Sequence, residues 1–153
     1  MANFYFDTSA LVKFYVQERG SLWVQSLVNP QSANLIFVSM IAEVEAAAAF
    51  SRKHRDGELE SDLYQPLIPK LRQEFSCFFL PLMITPDLIQ RAIELTTRYS
   101  LRGYDALQLG TALLATEILL RSSQTPLTFI SADIRLNQIA ATEKLSVDDP
   151  NRH

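Results

Sequence analysis

The feature of the sequence that most constrains its fold is a regular alternation of short apolar segments with longer helical patterns. The apolar segments are rich in aromatic or β-branched residues, which is typical of buried strands; they are residues 3–6, 35–38, 77–80 and 127–130, with 146–147 as a candidate edge strand. Helical patterns lie between them at residues 10–16, 21–28, 41–55, 59–75, 86–99 and 104–120, with a short helix ending near 141. This alternation predicts an α/β domain of three layers, with a central, mostly parallel sheet of four to five strands flanked by helices.

The length of the chain and its turn residues predict a single domain. The chain has 153 residues, close to the most common domain size, and it contains only 4 glycines and 7 prolines. No linker or internal repeat interrupts the pattern. We expect one domain over residues 1–148, followed by a C-terminal tail at residues 149–153.

Composition excludes several kinds of site. A single cysteine, Cys77, excludes an internal disulfide framework and a cysteine-rich zinc site, and its apolar neighbours predict a buried thiol. The two histidines, His54 and His153, are too few for a mechanism that needs several, and we expect His54 at the surface. No apolar run approaches the ~20 residues of a membrane span, and no secretory signal begins the chain, so we expect a cytoplasmic protein.

Two aspartates directly follow predicted strands. Asp7 comes after the first strand and Asp133 after the fourth. In open parallel sheets, binding sites form beyond the carboxyl ends of the strands, and both aspartates occupy that position. Each could equally serve as a helix N-cap, which contributes about 1 kcal/mol. The two roles are compatible, because both place a carboxylate at the same edge of the sheet.

Two further carboxylates lie on largely apolar helix faces. The neighbours of Glu45 one turn away are Ile41, Ala42, Ala48 and Ala49, so this face should point inward. Asp105 begins the helix near Tyr104, where it could be a metal ligand or could simply complement the helix dipole.

These four acidic residues suggest a metal site. A carboxylate on an apolar face is unfavourable unless it is paired or bound to a cation, and converging carboxylates raise one another's pKa. Mg²⁺ or Mn²⁺ relieves both effects, because these ions prefer carboxylate oxygens and water. Such ions also activate water for phosphodiester hydrolysis, a chemistry that needs neither histidine nor cysteine. The sequence alone does not show that the four groups meet in space.

The charge balance weighs against nucleic acid as a partner unless cations are concentrated locally. The formal net charge is −3, from 14 basic and 17 acidic residues. The densest basic cluster is residues 52–55, at the end of the Glu45 helix, where it could contact phosphates or merely complement the helix dipole. Arg102 and Arg135 flank the acidic positions. For Tyr15 and Tyr104 we favour core packing over stacking on bases.

Four segments resemble one known family, in the expected order. Residues 5–13 (YFDTSALVK) resemble the start of PIN-domain nucleases, specifically the VapC-type toxins. Residues 38–45 (VSMIAEVE) with Arg52, residues 104–109 (YDALQL) and residues 129–133 (FISAD) resemble later family motifs. Each motif alone is weak, but the four together span nearly the whole chain.

The resemblance implies a metal-dependent ribonuclease whose acidic site consists of Asp7, Glu45, Asp105 and Asp133, with Mg²⁺ or Mn²⁺ as cofactor. It also implies a homodimer, an RNA substrate and a cognate VapB-like antitoxin that covers the site. Glu43 lies only two residues before Glu45, so the two side chains diverge by about 200° on a helix and only one can point into the site. We favour Glu45, because its spacing from Ser39 and Arg52 matches the family.

Two other functions stay open. The chain could be a catalytically silent module that keeps the fold and binds RNA or a protein. It could also be a different metal-dependent enzyme, such as a phosphatase or a DNA nuclease, that uses similar carboxylates.

Overall fold

Five parallel strands form one central sheet, in the order β3-β2-β1-β4-β5, in the computed structural model, which describes residues 1–153. The strands are β1 (Asn3–Phe6), β2 (Leu35–Ser39), β3 (Leu80–Leu82), β4 (Thr128–Ile130) and β5 (Ser146–Asp148). The helices are α1 (Thr8–Tyr15), α2 (Ser21–Leu27), α3 (Ile41–Arg55), α4 (Ser61–Tyr64), α5 (Leu67–Phe78), α6 (Pro86–Tyr99), α7 (Gly103–Arg121) and α8 (Ile134–Thr142). Short 3₁₀ turns lie at Pro30–Ser32 and Pro150–Arg152. The predicted α/β fold is confirmed, and every strand pair is parallel.

The order of the strands creates a crevice between β1 and β4. The chain builds β1, β2 and β3 outward in one direction and then returns to place β4 on the other side of β1. Phe6 pairs with Ile130, so the residues that follow the two strands, Asp7 and Ser131, leave the sheet side by side. Ligands bind at such a reversal of strand order in open α/β sheets, because the loops diverge there.

Helices cover both faces of the sheet, because the central strands are apolar on both sides. Phe6, Ile36 and Ile130 point into one core, which they share with residues of α1, α2, α3 and α5. Tyr5 and Phe129 point into the other core, with residues of α6, α7 and α8. Their rings stack with centroids 5.6 Å apart. The two faces are therefore separate hydrophobic layers that meet only at the strand ends.

The prediction for β3 is wrong in position. The expected strand at residues 77–80 is instead the end of α5 and a short connection, and the strand occupies Leu80–Leu82. The helix extends to Phe78 because Leu71 and Phe75 continue its buried face into the core. Cys77 lies on the opposite face of this helix and is exposed, so the expectation of a buried thiol is also wrong.

The other boundaries lie close to the predicted ones. The predicted helix at residues 59–75 is divided into α4 and α5 near Pro66, where a proline interrupts helical hydrogen bonding. His54 is not a simple surface residue, because its ring stacks on Tyr64 at 4.4 Å and Nδ1 lies 2.9 Å from the carbonyl oxygen of Leu59. No helix of this structure combines the length and apolar character needed to cross a bilayer.

The last residues of the chain pack against α2. Pro150 is buried, and the ring of His153 stacks on Trp23 at 4.0 Å. Gly20, which precedes α2, has φ +84°, and a β-carbon there would overlap the carbonyl group of Pro150. Only glycine combines this backbone conformation with so close an approach.

We expect Gly20→Ala to destabilise the protein by more than the roughly 1–2 kcal/mol of a left-handed alanine alone, because the new methyl group also displaces Pro150. Gly57→Ala is the matched control, since Gly57 has φ +76° but open space around the β-carbon position. Urea unfolding of both variants measures the difference. Equal losses would show that the contact with Pro150 contributes nothing.

Candidate active site

Asp7 is a buried carboxylate at the junction of β1 and β4. It is the N-cap of α1, and its Oδ1 accepts hydrogen bonds from Ala10 N at 3.0 Å and from Ser9 Oγ at 2.6 Å. Its Oδ2 accepts a hydrogen bond from Ser131 Oγ, across the strand boundary. Two separate segments of the chain thus orient this carboxylate: Ser9 and Ala10 hold Oδ1, and Ser131 holds Oδ2.

The same two serines connect Asp7 to Asp133. The backbone N–H of Asp133 donates to Ser131 Oγ at 3.0 Å, and that of Ala132 donates to Ser9 Oγ at 2.9 Å. Asp133 is the N-cap of α8, where its Oδ1 accepts from Leu136 N at 2.9 Å. Helix capping, which the sequence offered as an alternative for both aspartates, is therefore real and coexists with their placement at one edge.

Burial raises the pKa of Asp7 to about 6, because the charged form loses hydration. The hydrogen bonds from Ser131, Ser9 and Ala10 act in the opposite direction, and the negative charge of Asp133 raises the pKa further. The carboxylate of Asp7 makes no ion pair. The Asp7 carboxylate is therefore poorly hydrated, and no lysine, arginine or histidine side chain pairs with it.

Glu45 on α3 reaches the same edge from the helical layer that also contains α1. Its Oε1 accepts a hydrogen bond at 3.1 Å from Nε2 of Gln108 on α7. Burial raises the pKa of Glu45, the hydrogen bonds from Gln108 and Thr8 lower it, and the charge of Asp105 raises it again. Glu45 likewise makes no ion pair with a lysine, arginine or histidine.

Asp105 differs from the other three carboxylates because it has a cationic partner. Arg102, at the N-cap of α7, donates from Nε to Asp105 Oδ2 at 3.0 Å. The Arg102 side chain is 83% exposed and that of Asp105 is 24% exposed. Its bond to Asp105 raises the pKa of Arg102, and the nearby charges of Asp133 and Glu45 raise it further. One exposed guanidinium therefore lies near three of the acidic side chains.

The four carboxylates lie at one edge of the sheet as two pairs. Asp7 is close enough to Asp133, and Glu45 to Asp105, for each first member to be affected by the charge of the second. The buried hydroxyl of Tyr5 faces both pairs, since Asp7 and Glu45 both raise its pKa. No three acidic, histidine or cysteine side chains are assembled as a ready-made metal cluster.

Glu43 points away from this edge. Its charge raises the pKa of Tyr15, together with burial and Glu74 on α5, and so it faces the α1–α5 side of α3. Glu43 lines neither of the two cavities at the acidic edge, whereas Glu45 lines the larger one.

Two adjoining cavities open at the acidic edge. The larger has a volume of about 850 Å³, and α3, α6 and α7 supply most of its wall, including Glu45, Arg52, Tyr104 and Asp105. The smaller, of about 150 Å³, is lined by Asp133 and Arg135. The Arg102–Asp105 ion pair contributes to both walls. Tyr104 is 59% exposed beside the larger cavity, so the expected core packing of Tyr104 is wrong.

Comparison with known proteins now identifies the fold. The profile of the PIN domain family matches residues 4–141. The chain belongs to the PIN domain family. PIN domains are generally nucleases that act on nucleic acid. No curated protein sequence matches the chain.

Solved structures that share this fold include a toxin–antitoxin complex. A toxin–antitoxin complex from Klebsiella pneumoniae is 24% identical over 85% of this chain and 86% of that chain, with a TM-score of 0.56. VapBC2 from Rickettsia felis, bound to a DNA fragment from its promoter, is 14% identical over 96% and 98%, with a TM-score of 0.61. FitAcB from Neisseria gonorrhoeae is 16% identical over 96% and 97%, with a TM-score of 0.58. At these identities the likeness shows the shared fold.

The donors of this PIN domain suit a hard divalent cation. Every candidate ligand is a carboxylate oxygen, and hydroxyl groups of Thr8, Ser9 and Ser131 surround them. Mg²⁺ is commonly held by only one or two carboxylates plus water, so two carboxylate pairs meet its needs without a larger cluster.

Gln108 and the apolar wall of the larger cavity are features that the sequence did not identify as part of the site. Gln108 is 2% exposed, and its amide lies among mostly apolar buried residues of α7, which was the available signal. The wall from α6, formed by Ile89, Ile93 and Thr96, had no such signal, because its place beside the site depends on how α6 packs on α7.

We expect Asp7→Asn to stabilise the metal-free PIN domain at pH 7.5 by roughly 1–3 kcal/mol. The folded-state pKa of Asp7, about 6, lies above the ordinary 3.8, so between these values the folded protein binds more protons than the unfolded chain. This group's contribution to the free energy of unfolding therefore falls as pH rises through that interval, and an uncharged asparagine avoids the loss.

Urea unfolding in EDTA at pH 7.5 and pH 4 measures this effect, which should largely disappear at the lower pH. Asp149→Asn is the control, because Asp149 caps a helical turn outside the site. A gain that is the same at both pH values would contradict the assignment to a buried charge.

Proposed function

We propose that this PIN domain is an endoribonuclease that hydrolyses RNA phosphodiester bonds with Mg²⁺ or Mn²⁺ as cofactor. The observation that carries the proposal is the cation deficit at the acidic edge. Three of the four carboxylates, Asp7, Glu45 and Asp133, make no ion pair although each lies near another negative charge. Bound divalent cations would compensate for this deficit.

In the proposed mechanism, Asp7, Glu45, Asp105 and Asp133 hold one or two cations, directly or through water. When bound, the cation lowers the pKa of a coordinated water and stabilises charge on the phosphate. Ser9, Ser131 and the N–H of Ala10 hold both oxygens of Asp7 in a fixed orientation. We assign no separate general base to any residue.

The substrate assignment is supported by the cations around the two cavities. Arg52 lines the larger cavity without forming an ion pair, although its charge lowers the pKa of Glu45. Arg135 lines the smaller cavity and donates to the carbonyl oxygen of Tyr99. Such side chains can hold the phosphates that flank a cleaved bond. The exposed ring of Tyr104 provides a surface on which a base can stack. These local features offset the net charge of −3.

We further propose that the domain is the toxin of a VapBC-type pair in the cytoplasm. Support comes from the toxin–antitoxin structures that share its fold. It also comes from exposed Val44, Ile89 and Ile93 along the larger cavity, since apolar groups on a groove are typical of a surface that another protein covers. A VapB-like antitoxin seated there would block the acidic edge.

A homodimer is part of the same proposal. Strand β3 is an edge strand, and Leu80, Met83 and Ile84 in and after it are exposed. Exposed apolar side chains beside an unpaired strand edge favour association with a second copy.

A catalytically silent binding module is the alternative. It is favoured by the absence of a ready-made group of three metal ligands. The two functions differ in whether the carboxylates perform chemistry or only shape a binding surface.

We expect the purified protein to cleave RNA when Mn²⁺ is present, and EDTA to abolish cleavage. Asp7→Asn should lower the rate on the order of 100-fold or more, because it removes charge that holds the cation. Gel assays on RNA and DNA of matched sequence measure the activity, with Asp149→Asn as the control variant. Cleavage that persists in EDTA or in Asp7→Asn contradicts the metal mechanism, cleavage of DNA alone contradicts the substrate, and no cleavage at all favours the silent module.

Cation binding should also raise the melting temperature. At a Mn²⁺ concentration about 100 times Kd, we expect a rise of about 5–10 °C for the wild-type protein. Asp105→Asn should reduce this rise, whereas Asp87→Asn, in the exposed first turn of α6, should preserve it. Differential scanning fluorimetry with and without Mn²⁺ provides the comparison. An unchanged response in Asp105→Asn removes Asp105 from the site.

A further inference from the structure

Gln108 lies at the centre of a hydrogen-bond network that joins four structural elements. Its side chain, on α7, contacts Tyr5 of β1, Thr8 of α1 and Glu45 of α3. The residue is 2% exposed, so water cannot replace any of these contacts without entering the core. A buried side-chain amide with all its partners within the protein is a rigid element.

The orientation of the amide is set by its partners on either side. The hydroxyl of Tyr5, whose side chain is fully buried, donates a hydrogen bond towards Gln108. Gln108 Oε1 accepts this bond at 2.6 Å. An amide turned the other way would direct N–H groups at the tyrosine and its acceptor oxygen at Glu45. The carboxylate of Glu45, which only accepts, and the donated bond from Tyr5 therefore together hold Nε2 towards the acidic edge.

Both hydrogens of Nε2 are then used at the site. One points to Thr8 Oγ1 at 3.0 Å and the other to Glu45 Oε1 at 3.1 Å. Because an amide nitrogen carries two hydrogens, both donors are satisfied. Gln108 thus holds Oε1 of Glu45, whereas no hydrogen bond of ordinary geometry reaches Oε2, although the Thr8 hydroxyl also lies close to this carboxylate.

We propose that Gln108 is a positioning residue, which holds one oxygen of Glu45 so that the other is directed at a divalent cation. The inference rests on the proposed function, since it gives Glu45 the role of a cation ligand. Side chains that orient a metal ligand in this way commonly contribute 10- to 100-fold to affinity. Gln108 does not touch the cation or the substrate in this role.

The test is calorimetric titration of the apo protein with Mn²⁺, which needs no RNA and no turnover. Gln108→Met has a similar shape but no donor or acceptor, and it should weaken Mn²⁺ binding by about 10- to 100-fold. Tyr5→Phe keeps Gln108 but releases its orientation, and it should weaken binding by about 2- to 10-fold. Thr116→Val, which removes a hydroxyl bonded only within α7, is the control and should bind as the wild type does.

Rescue separates positioning from a purely structural role. In Gln108→His, one ring nitrogen can accept from Tyr5 while the other donates to Glu45. This variant should recover most of the affinity lost in Gln108→Met. If Gln108→Met does not fold, Tyr5→Phe and Gln108→His still provide the test.

The outcomes distinguish the two proposals. The positioning role is overturned, and the proposed function left intact, if Gln108→Met binds Mn²⁺ as tightly as the wild type does, or if Tyr5→Phe does so when Gln108→Met does not fold. A loss that His does not restore indicates general disruption and also overturns it. Wild-type protein that binds no Mn²⁺ overturns both proposals.

Discussion

The acidic edge depends on one buried carboxylate, that of Asp7, which lies where the strand order reverses between β1 and β4. Asp7 caps α1, ends β1 and accepts a hydrogen bond from Ser131 beyond β4. This hydrogen bond therefore joins the segments that follow β1 and β4, and it fixes the carboxylate between them. Hydration is lost in the process, which is why the pKa of Asp7 is raised to about 6. A charge held in this way is destabilising alone and becomes favourable when a cation is near.

The electrostatics of the edge follow from the arrangement of helices on both faces. Helix α3 belongs to one layer and α7 to the other, yet Glu45 and Gln108 meet because both helices begin near the carboxyl ends of the strands. Acidic side chains from four segments are concentrated there, while arginines remain at the rims of the cavities. A chain with an overall negative charge thus presents carboxylates and arginines at separate places on one edge of the sheet.

Local sequence signals were sufficient where one residue determines the outcome. Asp7, Thr85 and Asp133 cap helices as their residue types predict, and α3 occupies the predicted range. Local sequence signals failed where tertiary packing determines the structure. The apolar residues near Cys77 are as compatible with a helix end as with a strand, and contact of Phe75 with the core determines which forms. Tyr104 is apolar enough for a core, but its place at the start of α7 leaves it beside a cavity.

Sequence by itself determined the alternating elements, the parallel sheet and the capping of two helices by Asp7 and Asp133, because periodicity and capping are properties of neighbouring residues. Only the tertiary structure decided that Glu45 and not Glu43 faces the acidic edge, that the carboxylates lie in two pairs, and that Arg102 holds Asp105. It also decided the contacts of Gln108, whose partners are 63 to 103 residues away along the chain. Contacts of that range arise from the packing of whole layers, and no local pattern encodes them.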